Sequence, residues 1–375
     1  MLAATIALLG WIGHAVLPMR ILNVLYAIPL PKLFLKAWRL STGLFILAYA
    51  PIPYFAISLE EGQLGLPLRL YVGACAIVGT VFLVGCLLRN FRPVPGVVVS
   101  ESSTIHHLGV LLGPAKLGDG RNRWMARMPF NGAFAVEFTE MKLKLKWLPK
   151  ELDGLSILLV SDLHFHGTPS RAWYDALFDR LVELPTPDLV VLAGDFVDTD
   201  THADWIAPLL GRLKWNDAGL AVLGNHDVHH GPDATRAELG ALGYRVLGNR
   251  WEVVPIRGVP VVVVGDERPW FSSKLDLTGA PVAGFRLYVS HTPDNFPTAS
   301  AGMFDLVLAG HVHGGGICFP FIGSVFVPSL YGRRYDRGVF HRDRTVMVVG
   351  RGIGGKEPVR YGSRPQVLRL VLTPT

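Results

Sequence analysis

The sequence predicts an α/β domain that follows apolar segments long enough to cross a membrane. From residue 155 onward, short aliphatic runs typical of strands buried on both faces alternate with amphipathic helical patterns. Before residue 90, apolar residues dominate, so the chain average of 50% hydrophobic residues and mean hydropathy +0.34 hides two different parts. We therefore expect a transmembrane region at 1–89, a basic Pro/Gly linker at 90–129 and the α/β domain at 130–375.

Three apolar segments lie at 2–18, 41–59 and 69–88, and each is close to the ~20 residues that a spanning helix needs. The loop between the first two carries basic residues and no acid, whereas the next loop carries Glu60 and Glu61. Because basic loops remain in the cytoplasm, we expect a multi-pass protein of the cell (inner) membrane with a cytoplasmic α/β domain.

The formal charge of +6 suits attraction to an anionic membrane surface. The sequence carries no nucleic-acid-binding signature, so no nucleic-acid partner is expected. Nothing in the sequence predicts an oligomeric state.

The order of elements follows from the hydrophobic pattern. Residues 141–147 alternate apolar residues with Lys, which predicts a half-buried strand suited to a sheet edge. Helices are expected at 170–184, 203–214 and 234–242. Further strands are expected at 155–160, 188–193, 219–223, 260–265, 285–290, 304–309, 345–349 and 366–371.

Polar side chains follow five of these strands at the points where the strands end. Asp162 and His164 come after the first strand, and residues two apart on an extended chain point to the same side. The later strands are followed by Asp195 and Asp198, by Asn225, His226 and Asp227, by His291, and by His311 and His313. Because α/β sheets place active sites at the carboxyl ends of strands, and because carboxylates and imidazoles suit divalent transition metals, the sequence predicts a metal site.

These motifs resemble, in order, those of the calcineurin-like metallophosphoesterases over about residues 140–375. The stretches 290–294 and 358–360 are similar to a membrane-associated bacterial branch, which includes the alternative UDP-2,3-diacylglucosamine pyrophosphatase of lipid A biosynthesis. The resemblance implies a sandwich of two mixed β-sheets flanked by helices, with two divalent metal ions at one end. Mn, Fe or Zn fits such nitrogen and oxygen ligands.

The resemblance also implies seven metal ligands in two sets that share a bridging carboxylate. They are Asp162, His164 and His313 for one metal, Asn225, His291 and His311 for the other, and Asp195 as the bridge.

Two further residues would be catalytic. His226 would donate a proton or a hydrogen bond to the phosphoryl or leaving-group oxygen, and Asp227 would orient it. The metals would lower the pKa of a bridging water, so that a metal-bridging hydroxide hydrolyses a phosphodiester or pyrophosphate bond.

The substrate is predicted less sharply. Arg333, Arg334 and Arg337 either clamp a second phosphate or are solvated, and Phe321 either packs in a core or borders an acyl chain. The expected partner is a phosphate ester, with a lipid or UDP-linked acyl sugar as the first hypothesis. A tethered broad-specificity, cyclic-nucleotide or phosphoprotein phosphatase stays open, as does a non-catalytic metal-binding membrane scaffold.

Overall fold

The computed structural model describes residues 1–58, 65–120, 122–271 and 274–375, so Glu60 and Glu61 lie outside the described residues. The chain divides into two compact units. We call them the helical unit (Met1–Pro93 with Phe319–Gly332) and the sheet unit (Val94–Cys318 with Arg333–Thr375).

The three apolar segments are helical in the described residues, and the second is divided between two helices. The helices of the helical unit are α1 (Leu2–Tyr26), α2 (Lys32–Leu47), α3 (Ile52–Ser58) and α4 (Gly65–Asn90). Three helical stretches of 25 or 26 residues are long and apolar enough to cross a membrane: Leu2–Tyr26, Lys32–Ala56 and Gly65–Asn90. Each exceeds the ~20 residues that the hydrocarbon core requires.

Helices α1 and α4 pack closely because glycine lies where they meet. A Cβ atom on Gly13 would lie 1.8 Å from the Cys75 carbonyl oxygen, and one on Gly79 would lie 2.0 Å from the Leu9 carbonyl oxygen. Small residues that let two backbones approach are typical of helix pairs in membranes.

The segment Phe319–Gly332 belongs to the helical unit because polar side chains at the ends of α1 and α4 hold its backbone. Buried Asn23 donates to the Val325 carbonyl at 3.3 Å and accepts from the Val327 N–H at 3.0 Å. Asn90 donates to the Phe321 carbonyl at 3.0 Å.

The sheet unit contains two mixed sheets, as expected. The strands of the chain are β1 (Val98–His106), β2 (Val136–Leu145), β3 (Leu155–Val160), β4 (Leu189–Ala193), β5 (Ala218–Val222), β6 (Tyr244–Val246), β7 (Trp251–Ile256), β8 (Val259–Asp266), β9 (Arg286–Ser290), β10 (Leu306–Ala309), β11 (Cys318–Phe319), β12 (Gly323–Ser324), β13 (Gly338–Arg342), β14 (Thr345–Val349) and β15 (Gln366–Pro374). One sheet has the order β1-β2-β15-β3-β4-β5-β6 and the other β13-β14-β10-β9-β8-β7. All eight strands predicted from residue 155 onward are confirmed.

Both faces of the seven-stranded sheet are covered at its central strand β3. On β3, Ile157 and Leu159 belong to the core that includes the second sheet, whereas Leu158 and Val160 belong to the core shared with helices. This alternation is the two-residue period of a strand buried on both faces. The remaining helices are α5 (Leu108–Leu112), α6 (Arg123–Ala126), α7 (Arg171–Val182), α8 (Ile206–Leu210), α9 (Pro232–Ala241) and α10 (Phe296–Ala301).

The edge position expected for the Lys-rich strand is wrong. Strand β2 lies between β1 and β15, and β1 pairs with it antiparallel from Val98 to His106. Strand β1 lies in the stretch for which a linker is expected. It is exposed along almost its whole length. Its sequence therefore lacks the apolar alternation of a half-buried strand, the signal from which strands are predicted.

Candidate metal centre

The loops after β3, β4, β9 and β10 are joined to one another by backbone hydrogen bonds. The Asp162 N–H donates to the Gly194 carbonyl at 2.9 Å, and the Gly310 N–H donates to the His291 carbonyl at 3.0 Å. The two sheets are linked at this end, because the His311 N–H donates to Asp162 Oδ1 at 3.0 Å. The predicted ligands are thereby brought to one place.

The first predicted metal set forms a compact cluster. His164 Nε2 lies 3.1 Å from His313 Nε2, and His313 Nε2 lies 3.7 Å from Asp162 Oδ1. The candidate ligand atoms of these three residues all lie within 4.8 Å of one another. Ligand atoms bonded to one cation at ~2.1 Å lie roughly 3–3.5 Å apart, so the cluster fits a single ion.

The second predicted set surrounds His291. Its Nε2 lies 3.0 Å from Asn225 Oδ1 and 3.1 Å from His311 Nδ1. Its other ring nitrogen, Nδ1, lies 2.7 Å from the Ala193 carbonyl oxygen. A carbonyl only accepts, so Nδ1 carries the proton and the lone pair of Nε2 points into the cluster. This tautomer is the one that a metal ligand requires.

Asp195 lies between the two clusters. Its Oδ2 is 3.5 Å from His164 Nε2 and 3.3 Å from His291 Nε2, while its Oδ1 accepts the His226 N–H at 2.8 Å. Burial raises the pKa of this carboxyl, but the positive charge of the surrounding imidazoles holds it well below its usual range. A buried anionic oxygen between two ligand clusters fits a pair of divalent cations.

The backbone at these residues is strained. Positive φ angles occur at Asp162 (56°), His164 (49°), Asp195 (57°), His311 (72°) and His313 (51°). A non-glycine residue in this region costs about 1–2 kcal/mol, and such strain gathers at functional sites. Glycine relieves the crowding nearby, since a Cβ on Gly224 would lie 2.2 Å from Asp195 Oδ1.

The carboxylate that contacts the His226 imidazole is that of Asp198. Asp198 Oδ1 contacts His226 Nδ1 and also lies 3.0 Å from His164 Nδ1. Burial lowers the pKa of His226, but the charges of Asp198 and Asp195 raise it to about 9. The two carboxylates thus favour the protonated form of the His226 imidazole, whose Nδ1 faces Asp198.

Asp227 acts on the backbone instead. Its carboxylate accepts the N–H groups of Asp195 at 2.9 Å, Phe196 at 2.8 Å and Gly224 at 2.8 Å. The orienting role expected for Asp227 thus falls to Asp198, and Asp227 fixes the loops that carry Asp195 and Asn225.

Sequence reasoning assigned no role to two other residues at the centre. Arg360 is buried, with Nη2 2.8 Å from His313 Nδ1 and Nη1 2.7 Å from the His313 carbonyl. The ring centroid of Trp270 lies 4.9 Å from that of His311. Arg360 belongs to the 358–360 motif, which was a usable signal, whereas a single loop tryptophan gives none.

The predicted substrate residues lie apart from these contacts. Arg337 donates to the Gly362 carbonyl at 3.0 Å. The Arg334 guanidinium lies 5.3 Å from the Tyr335 ring centroid, and Arg333 belongs to the same 3-10 helix as Arg334 and Tyr335. In the part of the chain that the structure describes, no contact joins Arg334 or Arg337 to a metal ligand. Phe321 belongs to the helical unit and is 75% exposed.

Comparison with known proteins agrees with this geometry. Residues 155–315 match the family model of the calcineurin-like phosphoesterases. The chain is 28% identical over 256 residues to the uncharacterized metallophosphoesterase YkuE of Bacillus subtilis, covering 64% of this chain and 86% of that protein. It is 27% identical over 241 residues to phosphodiesterase YaeI of Escherichia coli, covering 63% of this chain and 88% of that protein.

A vertebrate relative is also similar. The chain is 26% identical over 264 residues to a transmembrane protein with metallophosphoesterase domain from Danio rerio, covering 64% of this chain and 58% of that protein. The family match, the relatives and the two ligand clusters agree with one another. The chain therefore contains a calcineurin-like metallophosphoesterase domain and is a metal-dependent phosphoesterase.

Proposed function

We propose that this protein is a membrane-anchored enzyme that hydrolyses a phosphodiester or pyrophosphate bond at two divalent cations. The observation that carries the proposal is the position of Asp195 Oδ2, 3.5 Å from His164 Nε2 and 3.3 Å from His291 Nε2. Two cations at such a site supply charge stabilisation for a phosphate and an activated water near neutral pH. The Escherichia coli relative, which is named as a phosphodiesterase, supports a phosphodiester as the substrate.

The protein's own residues supply the proton. His226 is held beside the bridge by its backbone bond to Asp195, and its imidazole is paired with Asp198. A cationic imidazole in this place donates to the phosphoryl or leaving-group oxygen as the bond breaks. Asp198 keeps the ring in one orientation, so less ordering is needed in the transition state.

We propose Mn, Fe or Zn as the metal. Four imidazoles, two carboxylates and one amide oxygen make up the seven ligands, a set that suits these borderline ions better than Mg or Ca. Titration of metal-depleted protein with each ion, read as restored turnover, distinguishes them.

We propose that the enzyme spans the inner membrane with its sheet unit in the cytoplasm. The support is the three apolar helices and the basic residues on either side of the first connection. Arg20 lies near the end of α1, and Lys32, Lys36 and Arg39 lie in the first part of α2. A reporter fused after Thr375 is expected to read cytoplasmic, and one inserted at Gly62 external. An externally labelled Thr375 fusion would contradict the orientation and any cytoplasmic substrate.

We propose further that the substrate carries an acyl chain, with a UDP-linked acyl sugar as the first candidate. A membrane anchor concentrates the enzyme where such a substrate resides, and the exposed Phe321 in the helical unit offers apolar contact. Turnover of an acylated nucleotide-sugar is expected to exceed that of its deacylated counterpart. The Phe321→Ser substitution is expected to reduce this difference in turnover between the two substrates. Val282→Ser, which alters a similarly exposed side chain in the sheet unit, serves as the control. Equal cleavage of both substrates, unchanged by Phe321→Ser, would exclude the acyl requirement.

A further inference from the structure

A segment of the sheet unit exposes an unusual number of large apolar side chains. We call residues 107–131 the rim segment; it contains α5 and α6. Its exposed apolar residues are Val110, Leu111, Trp124, Met128 and Phe130. Exposed apolar side chains that gather in one stretch, rather than lying scattered, mark an interaction surface.

The rim segment is fixed to the loop that follows β3. The Asp119 N–H donates to the Gly167 carbonyl at 3.2 Å, and the Thr168 hydroxyl donates to the Leu117 carbonyl at 2.7 Å. That loop begins with the predicted ligands Asp162 and His164, so the first half of the rim segment is bonded to the loop that carries them.

The second half is fixed to the loop that follows β14. Asn122 donates to the Lys356 carbonyl at 2.8 Å, and Asn131 donates to the Pro358 carbonyl at 2.8 Å. Asn131 also accepts the Arg360 N–H at 2.9 Å. The Arg360 guanidinium in turn contacts His313, so Arg360 links the rim segment to the first candidate metal cluster.

Charge accompanies the apolar side chains. The sequence from 107 to 131 contains four basic residues, Lys116, Arg121, Arg123 and Arg127, against one acid, Asp119. The exposed Arg123 and Arg127 flank Trp124 and precede Met128. Tryptophan, other apolar residues and arginine interleaved in one exposed stretch are typical of segments that lie in the interface of an anionic bilayer.

Phe130 is the most exposed of these residues. It is 96% exposed and has a φ angle of 60°, in the left-handed region that bulky residues avoid. The next residue, Asn131, is held by bonds to Pro358 and Arg360. The fold therefore holds Phe130 outward, with its side chain in contact with solvent.

We propose that the rim segment docks on the surface of an anionic lipid bilayer and so presents the metal centre to headgroup phosphates. The inference rests on the proposed membrane anchoring. It adds a second membrane contact, made by the sheet unit itself, and it makes a phosphate at the headgroup level the accessible substrate.

The test uses the full chain reconstituted in nanodiscs of phosphatidylcholine with and without phosphatidylglycerol. An environment-sensitive fluorophore is placed at Phe130→Cys, in a background in which Cys75, Cys86 and Cys318 are replaced. The control fluorophore is at Val282→Cys, another exposed position of the sheet unit. Quenching by a lipid-attached nitroxide reports contact with the bilayer.

We expect strong quenching and a blue-shifted emission at position 130 in the anionic discs only, and neither change at position 282. Arg123→Glu combined with Arg127→Glu should return position 130 to an aqueous signal. An aqueous signal in anionic discs, as a protein-binding surface would give, overturns the proposal, and so does equal quenching in both lipids.

Turnover of soluble bis(p-nitrophenyl) phosphate, measured in the same samples, separates this inference from the proposed function. The Arg123→Glu, Arg127→Glu variant should retain it, because neither residue belongs to the ligand clusters. Intact turnover without docking counts against the docking surface alone. Docking without turnover in any sample counts against the proposed hydrolysis.

Discussion

Asp195→Ala is expected to abolish hydrolysis and to remove most of the bound metal. The reason is geometric: Asp195 Oδ2 lies between His164 and His291, so both clusters lose the same anionic ligand. Two divalent cations held by these residues would then repel each other more strongly, because the negative charge of Asp195 no longer screens them. Elemental analysis and turnover on a soluble phosphodiester measure the two effects together.

The control for this variant is Asp175→Ala, which removes a half-exposed acid paired with Arg171 on α7. It should keep both the metal content and the turnover. Asp195→Asn preserves the shape of the bridge but not its charge, and should fall between the alanine variant and the natural protein. Two ions retained at normal turnover in Asp195→Ala would disprove the bridging role.

His226→Ala is expected to lower turnover by ~10²–10⁴, the usual range for a lost acid–base group, while both metals stay bound. His226 contacts Asp198 through its ring and Asp195 through its backbone N–H, and only the ring is removed. Metal content and turnover are measured as for Asp195→Ala. Loss of metal from His226→Ala would instead identify this residue as a ligand.

Asp198→Asn is the matched variant because it alters the partner of the same ring. Asp198 also lies 3.0 Å from His164 Nδ1, and outer carboxylates of this kind typically contribute 10–100-fold to metal affinity. Asp198→Asn should therefore weaken both turnover and metal binding, whereas His226→Ala weakens turnover alone. Identical behaviour of the two variants would argue against the separate roles.

The residues of the two candidate clusters could be singled out because they follow buried strands. The aliphatic run of β3 marks a strand by composition alone, and Asp162 and His164 come directly after it. The contacts among them were not predictable. That Asp198 rather than Asp227 meets His226 depends on a turn between β4 and α8 whose side-chain directions no spacing rule gives.

The fold was predictable where buried elements have a regular pattern of apolar residues, and not where an element is exposed. Strand β1 is exposed and polar, and it forms because β2 offers it a backbone ladder. The left-handed backbone at His311 and His313 likewise arises from tertiary contacts, since histidine alone does not favour it.

The segment 319–332 illustrates a signal that sequence reasoning overlooked. The sequence left Phe321 either in a core or beside an acyl chain, and the structure binds the backbone of this segment to Asn23 and Asn90 of the helical unit. An asparagine near the end of an otherwise apolar helix requires a polar partner when it is buried. The two asparagines therefore pointed to a docked segment.

The claim that two metals carry the chemistry is tested most directly by depletion and stoichiometric reconstitution of the full chain. Dialysis against a chelator should remove all turnover, and added Mn should restore it in proportion to occupancy until about two ions are bound per chain. Full turnover in metal-free protein, or full recovery at one ion per chain, would contradict the two-metal centre.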